Sequence, residues 1–308
     1  MAEQAVQVSD ILILGANGQV GWELQRALAP LGRLIVCDRQ RGDLENLAGL
    51  RALINTERPA IIVNAAAYTA VDKAEADIDR ARRVNAEAVG VLAELAADLD
   101  AWLVHYSTDY VFDGSGSRPF CEGDPTGPLN VYGQTKLEGE QAILASGCRH
   151  LIFRTSWVYA ARGANFARTM LRLAADREEL RVIADQVGAP TSAELIADVT
   201  AQVFAQLRHR PNARSLAGLY HLTATGAISW HGYARFVIEQ AAGLGLPLRT
   251  LPEQVLPIPT QEYPLPATRP HNSRLDTRKL RETFGLTLPA WETHVKRMLI
   301  ELAGEKSA

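Results

Sequence analysis

The stretch Ile11-Leu12-Ile13-Leu14-Gly15-Ala16-Asn17-Gly18-Gln19-Val20-Gly21 decides the fold of this chain. Four apolar residues in a row read as a short strand buried on both faces. From Gln19 to Leu28 the pattern turns helical. Between strand and helix each glycine has a task. Gly15 permits the tight turn, Gly18 lets a pyrophosphate approach the backbone, and Gly21 lets helix and strand pack closely. The helix start, with Gln19 and Val20, adds unpaired N–H groups and a partial positive charge that suit phosphate. The loop therefore predicts a dinucleotide site.

Outward from this loop, apolar runs recur at Leu34–Cys37, Ala60–Val63, Trp102–Tyr106 and Leu151–Arg154. Helical patterns separate them, including a long one over Asp72–Ala97, where Asp72 and Glu75 make a plausible capping pair, and another over Val131–Ala145. Strands alternating with helices predict parallel βαβ units in an open, doubly wound Rossmann-type α/β sheet. After residue 157 the texture changes. Helical segments at Phe166–Ala175, Glu194–Gln206, Trp230–Ala242 and Leu288–Leu302 are separated by irregular pieces, and residues 247–273 hold seven prolines. Such a segment cannot be regular helix or inner strand. We read residues 1–157 as an NAD(P)-binding domain and 158–308 as a smaller α+β substrate-binding region, with the chain free to cross between them.

Asp38 lies 17 residues after Gly21, at the end of the second strand. An acid there accepts hydrogen bonds from ribose hydroxyls, which favours NAD. Arg39 and Arg41 follow at once and suit a 2′-phosphate, or else belong to a solvated charged loop. NADH and NADPH both stay open.

Tyr132 and Lys136 are spaced i, i+4 and share one face of a helix. Ketone reduction needs a hydride and a proton from a nearby acid. A free tyrosine titrates at about 10, and a lysine ammonium close by lowers it by favouring the phenolate. Thr108 follows the fourth strand at its C-terminal end, where open α/β sheets bind ligands. Thr108, Tyr132 and Lys136 are thus the candidate catalytic residues.

The bulk numbers fit this reading. The chain is 47% hydrophobic and 22% charged, with net charge −3. That is ordinary globular composition and points to neither a nucleic-acid nor a membrane-surface binder. Cys37, Cys121 and Cys148 lack metal-type spacing and fit reduced thiols. The polar start, Met1–Asp10, does not read as a signal peptide, and no apolar run is long enough to span a bilayer. A cytoplasmic protein is expected.

The residues resemble the dTDP-4-dehydrorhamnose reductase family of extended short-chain dehydrogenases/reductases over nearly the whole chain. The matching segments are Gly15–Gln25, Val63–Glu75, His105–Phe112, Pro128–Lys136, Phe153–Tyr159, Asp185–Thr191 and Arg269–Asp276. The last three lie beyond the common cofactor domain and are the more specific. The resemblance implies reduction of the 4-keto group of dTDP-4-dehydro-6-deoxy-L-mannose to dTDP-L-rhamnose by NADPH or NADH. It implies that Gly18, Gln19, Val20, Asp38, Asp43 and Leu44 line the cofactor, with Ala65, Ala66, Ala67, Thr69 and Tyr106 on its other side. Tyr132 and Lys136 serve it as well. Ser107, Thr108 and Trp157 would touch the sugar, although Trp157 also reads as plain core. Tyr68 stands where some relatives carry histidine. The resemblance further implies a homodimer joined by Mg²⁺ on Glu23, Glu194 and Glu292. Mg²⁺ prefers oxygen ligands, and clustered carboxylates repel without a cation.

Rival readings share the fold. A nucleotide-sugar dehydratase uses Thr-Asp-Glu after the fourth strand, whereas this chain has Thr108-Asp109-Tyr110. An epimerase would keep its cofactor across turnovers. A nucleotide-binding regulatory subunit could retain the Tyr–Lys pair. Arg269 or Arg274 reads equally as a pyrophosphate clamp or as part of a proline turn before a helix capped by Asp276.

Overall fold

The computed structural model describes residues 9–305, so the reading of Met1–Val8 lies outside the described residues. The first half alternates β1 (Ser9–Leu14), α1 (Gln19–Leu28), β2 (Gly32–Cys37), α2 (Leu47–Glu57) and β3 (Ile61–Asn64). Then come α3 (Val71–Ala74), α4 (Ile78–Arg82), a π-helical turn (Arg83–Glu87), α5 (Ala88–Asp98), β4 (Trp102–Thr108), α6 (Val131–Ser146) and β5 (Arg149–Thr155). The second half holds β6 (Val158–Tyr159), α7 (Phe166–Asp176), β7 (Leu180–Ile183), β8 (Val187–Gly188), β9 (Thr191–Ser192), α8 (Ala193–Leu207) and β10 (Gly218–His221). It ends with β11 (Ile228–Ser229), α9 (Trp230–Gly243), β12 (Val255–Ile258), α10 (Arg278–Phe284) and α11 (Trp291–Glu305).

Six parallel strands run in the order β10-β5-β4-β3-β1-β2. The order reverses between β1 and β3, which opens a crevice at the carboxyl ends of the strands. The apolar run at the start explains the layering. Ile11 and Ile13 face one side, with Leu24 and Leu28 of α1, Phe204 of α8 and Val295 of α11. Leu12 and Leu14 face the other, with Leu50 and Ile54 of α2 and Leu92 of α5. Alternate side chains of one strand thus feed two cores.

One expectation needs revision. The long helix over Asp72–Ala97 is broken into α3, α4, the π-helical turn and α5. Its expected capping pair does not form. Asp72 instead accepts two hydrogen bonds from Arg269 at 2.9 and 2.7 Å, and Glu75 accepts one from the Val131 N–H at the start of α6. Both carboxylates found partners distant in sequence. β10 leaves the C-terminal half and pairs with β5 in the main sheet, a crossing of the kind the sequence left open. The proline-rich stretch holds one short strand, β12, as a member of a two-stranded sheet with β7 and so not an inner strand. Pro257 is tolerated there because such a strand has a free edge.

Candidate active site

A cleft of about 820 Å³ opens along the carboxyl ends of β1–β5. Its lining takes in every sequence-expected cofactor and sugar residue except Gly21: Gly15, Gly18, Gln19, Val20, Asp38, Asp43, Leu44, Ala65, Ala66, Ala67, Thr69, Tyr106, Ser107, Thr108, Tyr132, Lys136 and Trp157. Gly21 serves packing, as expected. A Cβ there would sit 2.1 Å from the Gly15 carbonyl oxygen, and no such contact is tolerable. Gly15 has φ +78°, and a Cβ on it would lie 2.6 Å from the Ala66 nitrogen. The loop is therefore pressed against the end of β3. Gly18 caps α1 without a side chain, which leaves the helix N-terminus open toward the cleft.

Asp38 lines one end of the cleft, where its carboxylate accepts from the backbone N–H groups of Gln40 and Arg41. The two arginines part ways. Arg39 lines the cleft and pairs with Glu45 and Asp43, whereas Arg41 turns to Glu57 on α2 and does not line it. Arg80, from α4, also lines the cleft, held by Glu45 at 2.8 Å. Sequence reading missed it because only the fold brings α4 beside the loop after β2.

At the other end lie the candidate catalytic groups. Asn130 caps α6 by accepting from the Gly133 N–H at 2.8 Å, which sets where the helix starts. Gly133 is what lets α6 come close: a Cβ there would sit 2.2 Å from the Tyr110 carbonyl oxygen. Tyr132 is thereby held against the turn after β4, its ring edge-on to Tyr110 at 5.8 Å. The Thr108 hydroxyl donates to Asp109 at 3.1 Å and accepts from the Tyr110 N–H. Burial pushes the Tyr132 phenol up to about 12, the Thr108 hydroxyl draws it back, and Asp109 raises it further. Asp109 is buried, and burial lifts its carboxyl to about 7 against the pull of the Ser273 and Thr108 hydroxyls.

Lys136 departs from expectation. Its Nζ donates to the Tyr106 carbonyl at 2.7 Å and lies 2.9 Å from His105 Nε2. Burial depresses its ammonium to about 8, opposed by Glu140. The groups that shift the Tyr132 phenol are burial, Thr108 and Asp109, not the lysine. The lysine is thus anchored to β4 rather than spent on the phenol.

Trp157 has φ +49° and stacks on Trp230 with ring centres 3.4 Å apart. Both rings line the cleft, so Trp157 is no plain core residue. Trp230, at the start of α9, was not foreseen, because nothing in its local sequence marks it. The two C-terminal motifs meet beneath this region: Val187 N–H donates to His271 O, and Ser273 N–H to Val187 O. Arg269 is engaged by Asp72 and Arg274 by Asn272, and neither lines the cleft. The N-cap of α10 is Thr277, without a side-chain cap, and Asp276 just before it accepts from the Arg278 N–H.

The three expected metal ligands do not converge. Glu23 and Glu194 share a small cleft with His294 and Glu301, while Glu292 is not part of its lining. Among the described residues no group of three His, Cys, Asp or Glu side chains is arranged to hold a metal ion. Arg26 and Arg297 pair with Glu23 and Glu194, yet burial, with repulsion from Glu194 and Glu301, still holds the Glu23 carboxyl above its ordinary value. No helix among the described residues is long and apolar enough to cross a membrane.

Comparison with known proteins gives one answer. Residues 9–303 match the family model described as RmlD substrate binding domain. The chain is 54% identical over 297 residues to a dTDP-4-dehydrorhamnose reductase of Escherichia coli K12, covering 95% of this chain and 98% of that one. The solved dTDP-4-dehydrorhamnose reductase of Clostridium acetobutylicum superposes with a TM-score of 0.86 at 35% identity, over 95% of this chain and 99% of that one. The reductase of Bacillus anthracis, solved in complex with NADP, gives 0.85 at 34% identity, over 96% and 100%. A parallel sheet with this crevice, a Tyr–Lys helix and both distal motifs lead to the same place: the chain belongs to the RmlD family of dTDP-4-dehydrorhamnose reductases.

Proposed function

We propose that this chain reduces the 4-keto group of dTDP-4-dehydro-6-deoxy-L-mannose to dTDP-L-rhamnose with NADPH or NADH, as a step of dTDP-rhamnose biosynthesis in the cytoplasm. The observation that carries the reading is a single cleft with the glycine loop at one end and Thr108, Tyr132 and Lys136 at the other. The residues fit a nicotinamide dinucleotide. Gly15 and Gly18 leave bare backbone at the open start of α1, where a pyrophosphate is favoured. When bound, the reduced cofactor supplies the hydride to the keto carbon. The chain supplies the proton: Tyr132, held as a phenol by burial, donates it to the substrate oxygen. The Thr108 hydroxyl orients that oxygen against Tyr132. Lys136 stands under the ribose side of the cleft, and Trp157 with Trp230 forms an apolar wall for the sugar.

Tyr110 favours reduction over dehydration. Where elimination needs a second acid, this chain places an aromatic ring whose burial keeps its phenol well above the ordinary range. Cofactor oxidation, followed with the L-lyxo keto-sugar nucleotide and with its D-gluco isomer, tests the proposal. Stoichiometric oxidation with the former alone supports it. Turnover without net oxidation would mean an epimerase, and no oxidation with the purified chain would mean a regulatory subunit. A metal-linked homodimer, implied by the family resemblance, would have to draw carboxylates from two chains. Sedimentation in Mg²⁺ and in EDTA tests it, and a mass indifferent to EDTA would refute it.

A further inference from the structure

Beneath the cleft, Lys136 ends a buried hydrogen-bond chain whose direction can be worked out group by group. Asn64, His105 and Lys136 are each only 1% exposed, so their polar atoms must satisfy one another. The chain starts at the Ala66 backbone N–H, which can only donate. It donates to Asn64 Oδ1 at 3.2 Å, and this fixes the amide, because a flipped Asn64 would set its NH₂ against that N–H. Asn64 Nδ2 therefore faces His105 Nδ1, also at 3.2 Å, and donates to it. Nδ1 must then be the bare nitrogen of the ring. A neutral imidazole with a bare Nδ1 carries its proton on Nε2. That Nε2–H points at Lys136 Nζ, 2.9 Å away. An ammonium has three donors and no acceptor, so it cannot receive this bond, whereas an amine can. The amine still has N–H groups to give, and one goes to the Tyr106 carbonyl at 2.7 Å.

We infer that Asn64 and His105 are positioning residues that fix the polarity of this chain and so hold Lys136 of the ligand-free protein as an uncharged amine. The inference rests on the reading of Lys136 as part of the reductase site and adds its resting protonation state. The surroundings agree. Burial depresses the lysine, and burial first, then any charge on Lys136, holds His105 well below its ordinary value, so the imidazole stays neutral and the pair does not carry two charges. The groups facing Lys136 are His105 and the Tyr106 carbonyl from β4, and Tyr132 and Glu140 along its own helix. Glu140 favours the ammonium, but both its oxygens are bound by Arg154 of β5, at 2.9 and 2.6 Å. An uncharged lysine leaves Tyr132 a phenol, the form that donates a proton to a substrate oxygen.

Asn64→Asp reverses the chain. One carboxylate oxygen accepts from Ala66 and the other from a proton on His105 Nδ1, so Nε2 becomes an acceptor. Lysine is the stronger base by about four units and takes the charge. The chain has five lysines, Lys73, Lys136, Lys279, Lys296 and Lys306, so ¹³Cε-labelled lysine gives few signals, and Lys136→Met identifies the one in question. We expect Lys136 to titrate below about 8 in the wild type and at least one unit, tenfold in proton affinity, higher in Asn64→Asp. Equal midpoints in the two proteins, or a wild-type midpoint near the ordinary value of about 10.4, would overturn the inference. Should Asn64→Asp not fold, ring ¹⁵N shifts of the wild-type histidines decide. An Nε2–H tautomer for His105 supports the assignment and an Nδ1–H tautomer refutes it. Both measurements are read without turnover, so they stand or fall separately from the proposed reaction.

Discussion

Asp109→Asn removes a buried carboxyl next to Thr108 and keeps its shape. The group lies 3% exposed, and its carboxyl is lifted from 3.8 to about 7, chiefly by burial. The sign follows from linkage. The folded protein holds the proton more tightly than the unfolded chain, so the stability this group allows is fully present below its unfolded value and is lost as pH rises to its folded value. The interval is about three units at about 1.4 kcal/mol each, so the wild type loses about 4 kcal/mol between pH 4 and pH 7 through this group. Asparagine is neutral throughout and loses nothing. Its amide also brings a buried donor, which costs about 1–3 kcal/mol if unpaired, at every pH alike. Urea unfolding of both proteins at unit steps from pH 4 to pH 8 isolates the effect, because all other titrations cancel in the difference. The stability of Asp109→Asn relative to wild type should climb by about 4 kcal/mol up to pH 7 and then level off. A difference that stays flat from pH 4 to pH 8 would show that Asp109 titrates like an exposed carboxylate, and the account of its burial would be wrong.

Tyr132→Phe should lower kcat by about 10²–10⁴, the usual worth of a general acid, with NADPH affinity in calorimetry little changed; near-normal turnover would remove Tyr132 from its role. Arg39→Ala should reduce NADPH efficiency relative to NADH by about tenfold, corresponding to about 1.4 kcal/mol, while Arg41→Ala, whose side chain pairs with Glu57 away from the cleft, should not; steady-state kinetics with both cofactors would refute this if the two variants matched. Gly21→Ala puts a methyl 2.1 Å from the Gly15 oxygen, so thermal unfolding should reveal a loss of about 1–3 kcal/mol or more, and cofactor titration should show weaker binding; an unchanged melting temperature would mean that the loop and α1 yield freely.

The cofactor half of the site was legible because its signals are local. A run of four apolar residues, a glycine spacing and a strand-end acid are each contiguous, and the cleft contains them. Tyr132 and Lys136 share a helix face, so their juxtaposition with the loop needed only the sheet order. Legibility failed where partners are distant in sequence. Asp72 and Glu75 look like a capping pair, yet each is claimed from afar, by Arg269 and by the start of α6. Arg80, Trp230 and the His105–Lys136 contact arise from tertiary packing and leave no local pattern. The lysine was expected to acidify the tyrosine from its spacing alone, but spacing fixes only where a side chain begins, and the tip of Lys136 goes to β4. The carboxylates Glu23, Glu194 and Glu292 do not gather within one chain, and a match of positions carries no information on the arginines that pair with two of them.

The pairing of β10 with β5 bears on how far this protein can be taken apart. A chain stopped at residue 157 would keep the whole glycine loop and the Tyr–Lys helix, yet β5 would become the rim of the sheet. The row of backbone groups that β10 now satisfies, from Leu151 to Arg154, would lie open on a strand whose centre, Leu151, Ile152 and Phe153, is apolar and buried. A bare, flat, hydrophobic edge is a template for pairing with another copy. The C-terminal half is therefore not a cassette that can be swapped, because its residues 218–221 are also the selvedge that keeps the glycine-loop half from fraying into aggregates.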